Sequence, residues 1–186
     1  MGRVSAPRES RPDLAPLLDA LQRAGSTEEP NEDIPGLTIL HHGLQCAVLL
    51  RSACPGDPEL QLAGLLHDLG HVVAPGRPED HGSVGAAFVR PLLGARVAAL
   101  IEAHVPAKRY LVTTDRSYPE RLSRGSLRTL TVQGERMTAD EMAEFRAGPH
   151  ADAALRLRMA DEAAKDPAAE VPDLDWWMPP LLAAVG

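Results

Sequence analysis

Aromatic residues make up only 3% of the chain. That scarcity argues against a β-sandwich, whose strands draw on aromatic and β-branched side chains. Cysteine is nearly absent too: Cys46 and Cys54 are the only two, and no CxxC spacing occurs. A disulfide framework is excluded, and free thiols in a reducing compartment are expected. Positive charge is in deficit, with a formal net charge of -7, so the chain lacks the basic footprint of a nucleic-acid binder. No run approaches the roughly 18 apolar residues of a membrane span, and the opening MGRVSAPRESRPD has no apolar signal-like core. These absences predict a cytoplasmic protein with no nucleic-acid or membrane partner. Lysine is rare as well, with Lys108 and Lys165 against 17 arginines. Lys108 follows His104 by four residues. It is either kept for its compact, rotatable ammonium or is simply where one of two lysines falls.

What is present is Ala, Leu and Val in a chain of 186 residues, enough for one domain with a sizeable core. Residues 1–12 read as disordered and 13–186 as one all-α domain of about seven helices, with its core over about 37–165. Helical spacing predicts a first helix from Asp13 to about Ala24. Thr38 caps a second, from Ile39 to Ala53. Asp57–Pro58 opens a third, ending around His71. Two more are expected over His81–Leu93 and Ala95–His104, separated at Gly94 and stopped near Pro106. Short helical turns follow around 119–123 and 126–130. Thr138 and Glu141 form a capping-box pattern, and a long helix is expected from His150 to Lys165. In the Pro-rich tail, Trp176 and Trp177 are expected to pack against the body.

The most informative stretch is LAGLLHDLGH, residues 62–71, where His67 and Asp68 interrupt an apolar run. Burying such a pair without partners costs several kcal/mol or more. The candidate partners are His42, His81, His104 and Asp161. Each alone reads most simply as a core histidine, a helix-start pair or a solvated face. Together, four histidines and two carboxylates are what a dinuclear metal centre needs. Imidazole suits iron, zinc or manganese, and a carboxylate can bridge two cations. On the last helix Asp161 shares a face with Leu157, and Arg158 lies nearly on the same side.

The order H…HD…H…H…D, with HHGLQCA, LAGLLHDLGH, EDHGSVGAAFV, HVPAKRYL, LSRGSL, LTVQGERM and ALRLRMADEAAK, resembles the HD-domain superfamily from about Leu37 to Lys165. KRYL, QGERM and the LR-x-x-D segment point within it to the mixed-valent diiron oxygenases. That group includes 2-amino-1-hydroxyethylphosphonate dioxygenase and, more distantly, myo-inositol oxygenase. The resemblance implies an all-α HD-domain bundle with a dinuclear metal site in its core. It implies that His42, His67, Asp68 and Asp161 bind one iron, and that Asp68 bridges to a second held by His81 and His104. It further implies that Lys108, Ser126 and Arg158 hold a small anionic organophosphonate, that His71 lines the pocket, and that Asp68, His71 and Lys108 stand nearest the chemistry. The implied cofactors are an Fe(II)/Fe(III) pair with O2 as co-substrate. The implied reaction is oxygen insertion at C1 of a 1-hydroxyphosphonate, breaking the C–P bond to give phosphate and a carboxylic acid.

The chain departs from that group before His42. The family carries a tyrosine and a glutamate there, as a lid that contacts substrate. Here no tyrosine precedes Tyr110, the matching stretch is NEDIPGL with Glu32 and Pro35 near those places, and His41 stands where an acidic residue is usual. The substrate's remote end is therefore unassigned. An HD-domain phosphohydrolase would use the same ligands with a metal-bound hydroxide, and a catalytically idle helical binding domain is the third reading.

Overall fold

The computed structural model describes residues 12–30 and 34–185. Most of the N-terminal segment expected to be disordered, and Glu32 of the expected lid, lie outside the described residues. Helices are the only extended regular elements described; one isolated bridge pairs Glu28 with Thr38. The helices are α1 (Ala15–Ser26), α2 (Ile39–Ala53), α3 (Pro58–Leu66), α4 (Gly70–Val73), α5 (His81–Thr114), α6 (Tyr118–Arg121), α7 (Arg124–Val132), α8 (Ala139–Ala147), α9 (Ala151–Ala163) and α10 (Leu174–Ala184). The all-α expectation holds; the two helices expected over His81–Leu93 and Ala95–His104 form the kinked α5, the turns expected around 119–123 and 126–130 are α6 and α7, and α4 and α10 are additional.

Local chemistry sets most of the boundaries. Thr38 Oγ1 accepts from His41 N at the start of α2, and Asp57 accepts from Leu60 N at the start of α3. Thr138 and Glu141 close a reciprocal capping box on α8. Three boundaries differ from expectation. The third helix stops at Leu66, not His71, and a three-residue turn leads into α4. There Leu69 N, His71 N and Val72 N each bond the carbonyl three residues back, at 3.0–3.1 Å. This 3₁₀-like tightening swings Asp68 about 120° from His67, against 100° in an α-helix. Second, α5 kinks at Gly94 (φ 87°, ψ 177°) as expected, but it then runs through Pro106 to Thr114. Lys108 therefore lies one turn beyond His104 on a continuing helix. Third, the tail folds as α10, because Asp173 caps it by accepting from Trp176 N. Trp177 is buried, whereas Trp176 is partly exposed beneath Arg51.

Helices α2, α3, α5 and α9 form the centre. Leu50, Leu60, Leu66, Leu100, Ile101 and Leu157 are fully buried between them, each stabilising the fold by about 1.5–3 kcal/mol. Two glycines permit the closest approaches. A Cβ on Gly43 would lie 2.3 Å from Leu65 O, and one on Gly70 would lie 1.9 Å from His81 O. These contacts press α2 against the last turn of α3 and the start of α5 against α4, on either side of the turn at 67–69. By length and composition α5 could cross a membrane. It is instead broken at Gly94, and His81, Leu100, Ile101 and His104 are buried in the core.

Candidate metal centre

His42 of α2, His67 of the α3–α4 turn, and His81 and His104 of α5 are oriented alike. In each, Nδ1 faces a backbone carbonyl. His67 pairs with Gly64 O (2.8 Å), His81 with Pro78 O (2.6 Å) and His104 with Ile101 O (2.5 Å), each three residues back. His42 reaches across the fold to Ala164 O, at 2.8 Å. A carbonyl can only accept, so each Nδ1 carries a proton and each Nε2 is turned to the centre. A hydrogen bond from Nδ1 to a carbonyl fixes the orientation of a metal-binding imidazole. The four Nε2 atoms converge in two pairs: His42 and His67 at 3.2 Å, His81 and His104 at 2.8 Å.

Asp68 stands between the pairs. Its Oδ2 lies 3.4 Å from His42 Nε2 and 3.1 Å from His67 Nε2; its Oδ1 lies 3.4 Å from His81 Nε2 and 3.8 Å from His104 Nε2. Asp161 Oδ1 completes the first group, 3.3 Å from His42 and 3.7 Å from His67. His42, His67 and Asp161 make one triad with metal-ligand geometry; Asp68, His81 and His104 make another. All six expected ligands thus meet, with one carboxylate facing both centres.

The electrostatics suit cations. Burial pulls His42 and His67 down, but the Asp161 and Asp68 carboxylates overcome it and hold both well above the usual histidine range. Burial opposes ionisation of Asp68 and Asp161 too. The neighbouring imidazoles reverse this for Asp68, and Arg158 with the imidazoles does so for Asp161, leaving both well below the carboxylate range. A metal ion would replace the protons that these groups otherwise share. Burial lowers His81 and, more strongly, His104, which His81 and His67 depress further. Those two imidazoles are neutral, the form that binds metal.

Every residue lining the cleft at this centre is polar or charged, although the cleft lies within an apolar bundle. Lys108, Ser126 and Arg158 are all buried there. Lys108 Nζ donates to Thr129 Oγ1 at 2.8 Å. Burial, reinforced by the Arg158 charge, brings its amine down to about 7. Arg158 donates through Nε to Tyr118 OH (3.0 Å), through Nη1 to Asp161, and through Nη2 to Ser126 Oγ (3.0 Å) and Glu162. One helix thus presents a carboxylate to the metal triad and a guanidinium to the cleft.

His71 is placed differently. It stacks on His81, with ring centroids 4.3 Å apart, and lines a neighbouring cavity with Arg23, Pro30 and Pro75. Burial brings it down to about 4. It backs a metal-facing imidazole and does not line the cleft. Of the expected lid positions, Pro35 is exposed. The acidic residue that the structure brings into the cleft is Glu29, buried at 4% exposure. Its backbone N donates to Leu37 O at 2.8 Å, beside the Glu28–Thr38 bridge. The acidic loop before His42 was the available signal, but its pairing register was not readable. Thr129 and Gln133 also line the cleft unanticipated.

A family model described as HD domain matches residues 39–142. Hydroxymethylphosphonate dioxygenase of Gimesia maris is 39% identical over 147 residues, covering 74% of this chain and 73% of that protein. The 1-hydroxy-2-(trimethylamino)ethylphosphonate dioxygenase (glycine-betaine-forming) of Leisingera caerulea is 34% identical over 169 residues, covering 86% of this chain and 83% of that protein.

Proposed function

The chain belongs to the HD-domain family and within it to the phosphonate oxygenases, and from that premise we propose that it is a diiron enzyme that cleaves the C–P bond of a small 1-hydroxyphosphonate. The observation that carries the two-metal centre is the division of Asp68 between two histidine groups, one oxygen to each; the likeness to two hydroxyphosphonate dioxygenases supports the oxygenase over a phosphohydrolase with the same ligands. His42, His67, Asp68 and Asp161 would hold one iron, and Asp68, His81 and His104 the other. When bound, the irons would activate O2, whose four electrons come from the substrate. An Fe(II)/Fe(III) pair brings about five positive charges against two ligand carboxylates, so a dianion is welcome beside it.

The side chains of the cleft do the positioning. Arg158 has one N–H left, on Nη1, for a phosphonate oxygen, since its other four are engaged by Tyr118, Asp161, Ser126 and Glu162, and Lys108 adds a point charge beside it. Together they fix the phosphonate so that C1 faces the centre. A phosphonate dianion also returns Lys108 to its charged form, because it supplies the counter-charge that burial withholds. The overall reaction balances: R–CH(OH)–PO3H2 and O2 give R–COOH and H3PO4. Glu29 sets the remote end. A buried carboxylate in the cleft favours a substrate with an amino or alkylammonium group over one without.

The test is oxygen uptake by the iron-loaded protein with hydroxymethylphosphonate and with 2-amino-1-hydroxyethylphosphonate, following phosphate release in parallel. Equal uptake of O2 and release of phosphate is expected, with the amino substrate preferred. Phosphate-ester hydrolysis without O2 uptake would establish the phosphohydrolase instead. Glu29→Gln is expected to cut the preference for the amino substrate about tenfold, the weight of one charged hydrogen bond, through KM. An unchanged ratio would remove Glu29 from the specificity argument.

A further inference from the structure

Behind the cleft lies a second layer of charge that the metal centre does not use. Glu162 follows Asp161 on α9 and does not line the cleft. Its Oε1 accepts from Ser123 N at 2.7 Å. Its Oε2 accepts from Ser126 Oγ at 2.9 Å, from Lys165 Nζ at 3.0 Å and from Arg158 Nη2. Lys165 Nζ in turn donates to Ser123 Oγ at 2.9 Å and to Ser126 Oγ at 3.0 Å. Ser123 is also the N-cap of α7, its Oγ accepting from Ser126 N at 3.0 Å. Four donors from α7, α9 and the segment after α9 thus converge on one carboxylate.

We propose that Glu162, with Lys165, is a positioning residue that holds Arg158, directly and through Ser126, in register for the phosphonate group. The inference rests on the phosphonate-binding role proposed above for Arg158. The argument is one of donors and acceptors. Ser126 Oγ gives its hydrogen to Glu162 and takes two from Arg158 and Lys165, which exhausts a hydroxyl. Its position is therefore set from behind, before any ligand arrives. Arg158 is held edge-on in the same way, between Tyr118, Asp161 and Glu162. Its long side chain then has little rotamer freedom left to lose when an anion binds. Only an acceptor-only group can receive all four donors. In glutamine an N–H must face either Ser123 N or the Ser126–Arg158–Lys165 side, so one half of the clamp opens in either orientation.

Binding of inorganic phosphate to the iron-loaded protein, measured by calorimetry, tests this without turnover. Glu162→Gln is expected to weaken phosphate about tenfold, the scale of one disordered charge-assisted hydrogen bond. Iron content should stay at the wild-type level, since neither triad contains Glu162. In turnover, KM for the phosphonate should rise by a similar factor with kcat nearly constant. Lys165→Gln, which keeps a donor for the serines but loses the charge, should show a smaller loss, about threefold. It also decides the matter if Glu162→Gln does not fold. Phosphate affinity within twofold of wild type, or tighter, would overturn the inference; tighter binding would mean that Glu162 holds Arg158 back from anions. Wild-type protein that binds no phosphate would sink the phosphonate cradle itself, and this inference with it.

Discussion

The two halves of the site are built by different means. On the metal side, three of the four histidines hold Nδ1 against their own backbone carbonyl three residues back. Each ring is oriented almost entirely by the turn of chain it sits on. On the anion side, nothing is oriented by its own turn alone. Arg158 depends on Tyr118 and Ser126, and Ser126 depends on Glu162 and Lys165 from α9 and beyond. The metal half is local geometry repeated three times, with His42 as its one long-range exception. The anion half is a network of side chains brought together only by the packing of α6, α7 and α9. A local device tolerates loss of its neighbours; a network does not.

The difference can be broken from the metal side first. Asp68→Ala removes the one group shared by both triads, and the largest effect is expected there. Both metals should be lost, and activity should fall about 1,000-fold or more, the scale of the several kcal/mol that metal ions supply to a transition state. Metal analysis and oxygen uptake on the same sample check this; retention of one full equivalent of iron would show that the two triads are independent. Gly70→Ala tests the local character directly. The added Cβ would meet His81 O at 1.9 Å, so α4 or the start of α5 must shift. The expected cost is about 2–4 kcal/mol by denaturant unfolding. The His81–His104 group should lose metal before the His42–His67 group does. Equal loss from both groups would mean that the turn matters to the whole site and not to one histidine.

How much was legible beforehand follows the same division. The HD pair, His81, His104 and the caps at Thr38 and Thr138 are local signals, and their helices start where expected. Asp161 and Arg158 were legible as neighbours on one helix by their spacing of three. Ser126 is placed only by resemblance, because no periodicity places α7 over α5; Lys108 stands out by the rarity of lysine and its spacing from His104, and only its phosphonate role rests on resemblance. Glu29, Glu162 and Lys165 carried no local signal. A glutamate in an acidic loop, or in DEAAK, reads as a solvated face until the packing buries it. His71 is legible only in part. Its spacing of four from His67 predicts a shared face; the chain tightens at 67–69, and His71 stacks on His81. The helical tail was hidden by Pro179 and Pro180, which α10 accommodates within its length.

Lys108 gives the smallest effect and the sharpest contrast, since it serves the anion half from a helix of the metal half. Its amine titrates near 7 in the folded protein, against about 10.4 in an unfolded chain. Between those values the unfolded state binds more protons, so this group makes stability rise with pH over the window and costs the fold most below pH 7. Lys108→Met keeps the volume and removes the charge. In chelator-treated protein without phosphate, the variant should be the more stable at pH 6, by on the order of a few kcal/mol less about 1 kcal/mol for the lost bond to Thr129. That advantage should shrink steadily from pH 7 to about 10. Added phosphate should reverse the order, stabilising the wild type through the pairing that Lys108 otherwise lacks. Denaturant midpoints at pH 6, 8 and 10 measure this. A difference that does not change with pH would show that Lys108 is charged and paired throughout, and that the anion half is assembled before its ligand.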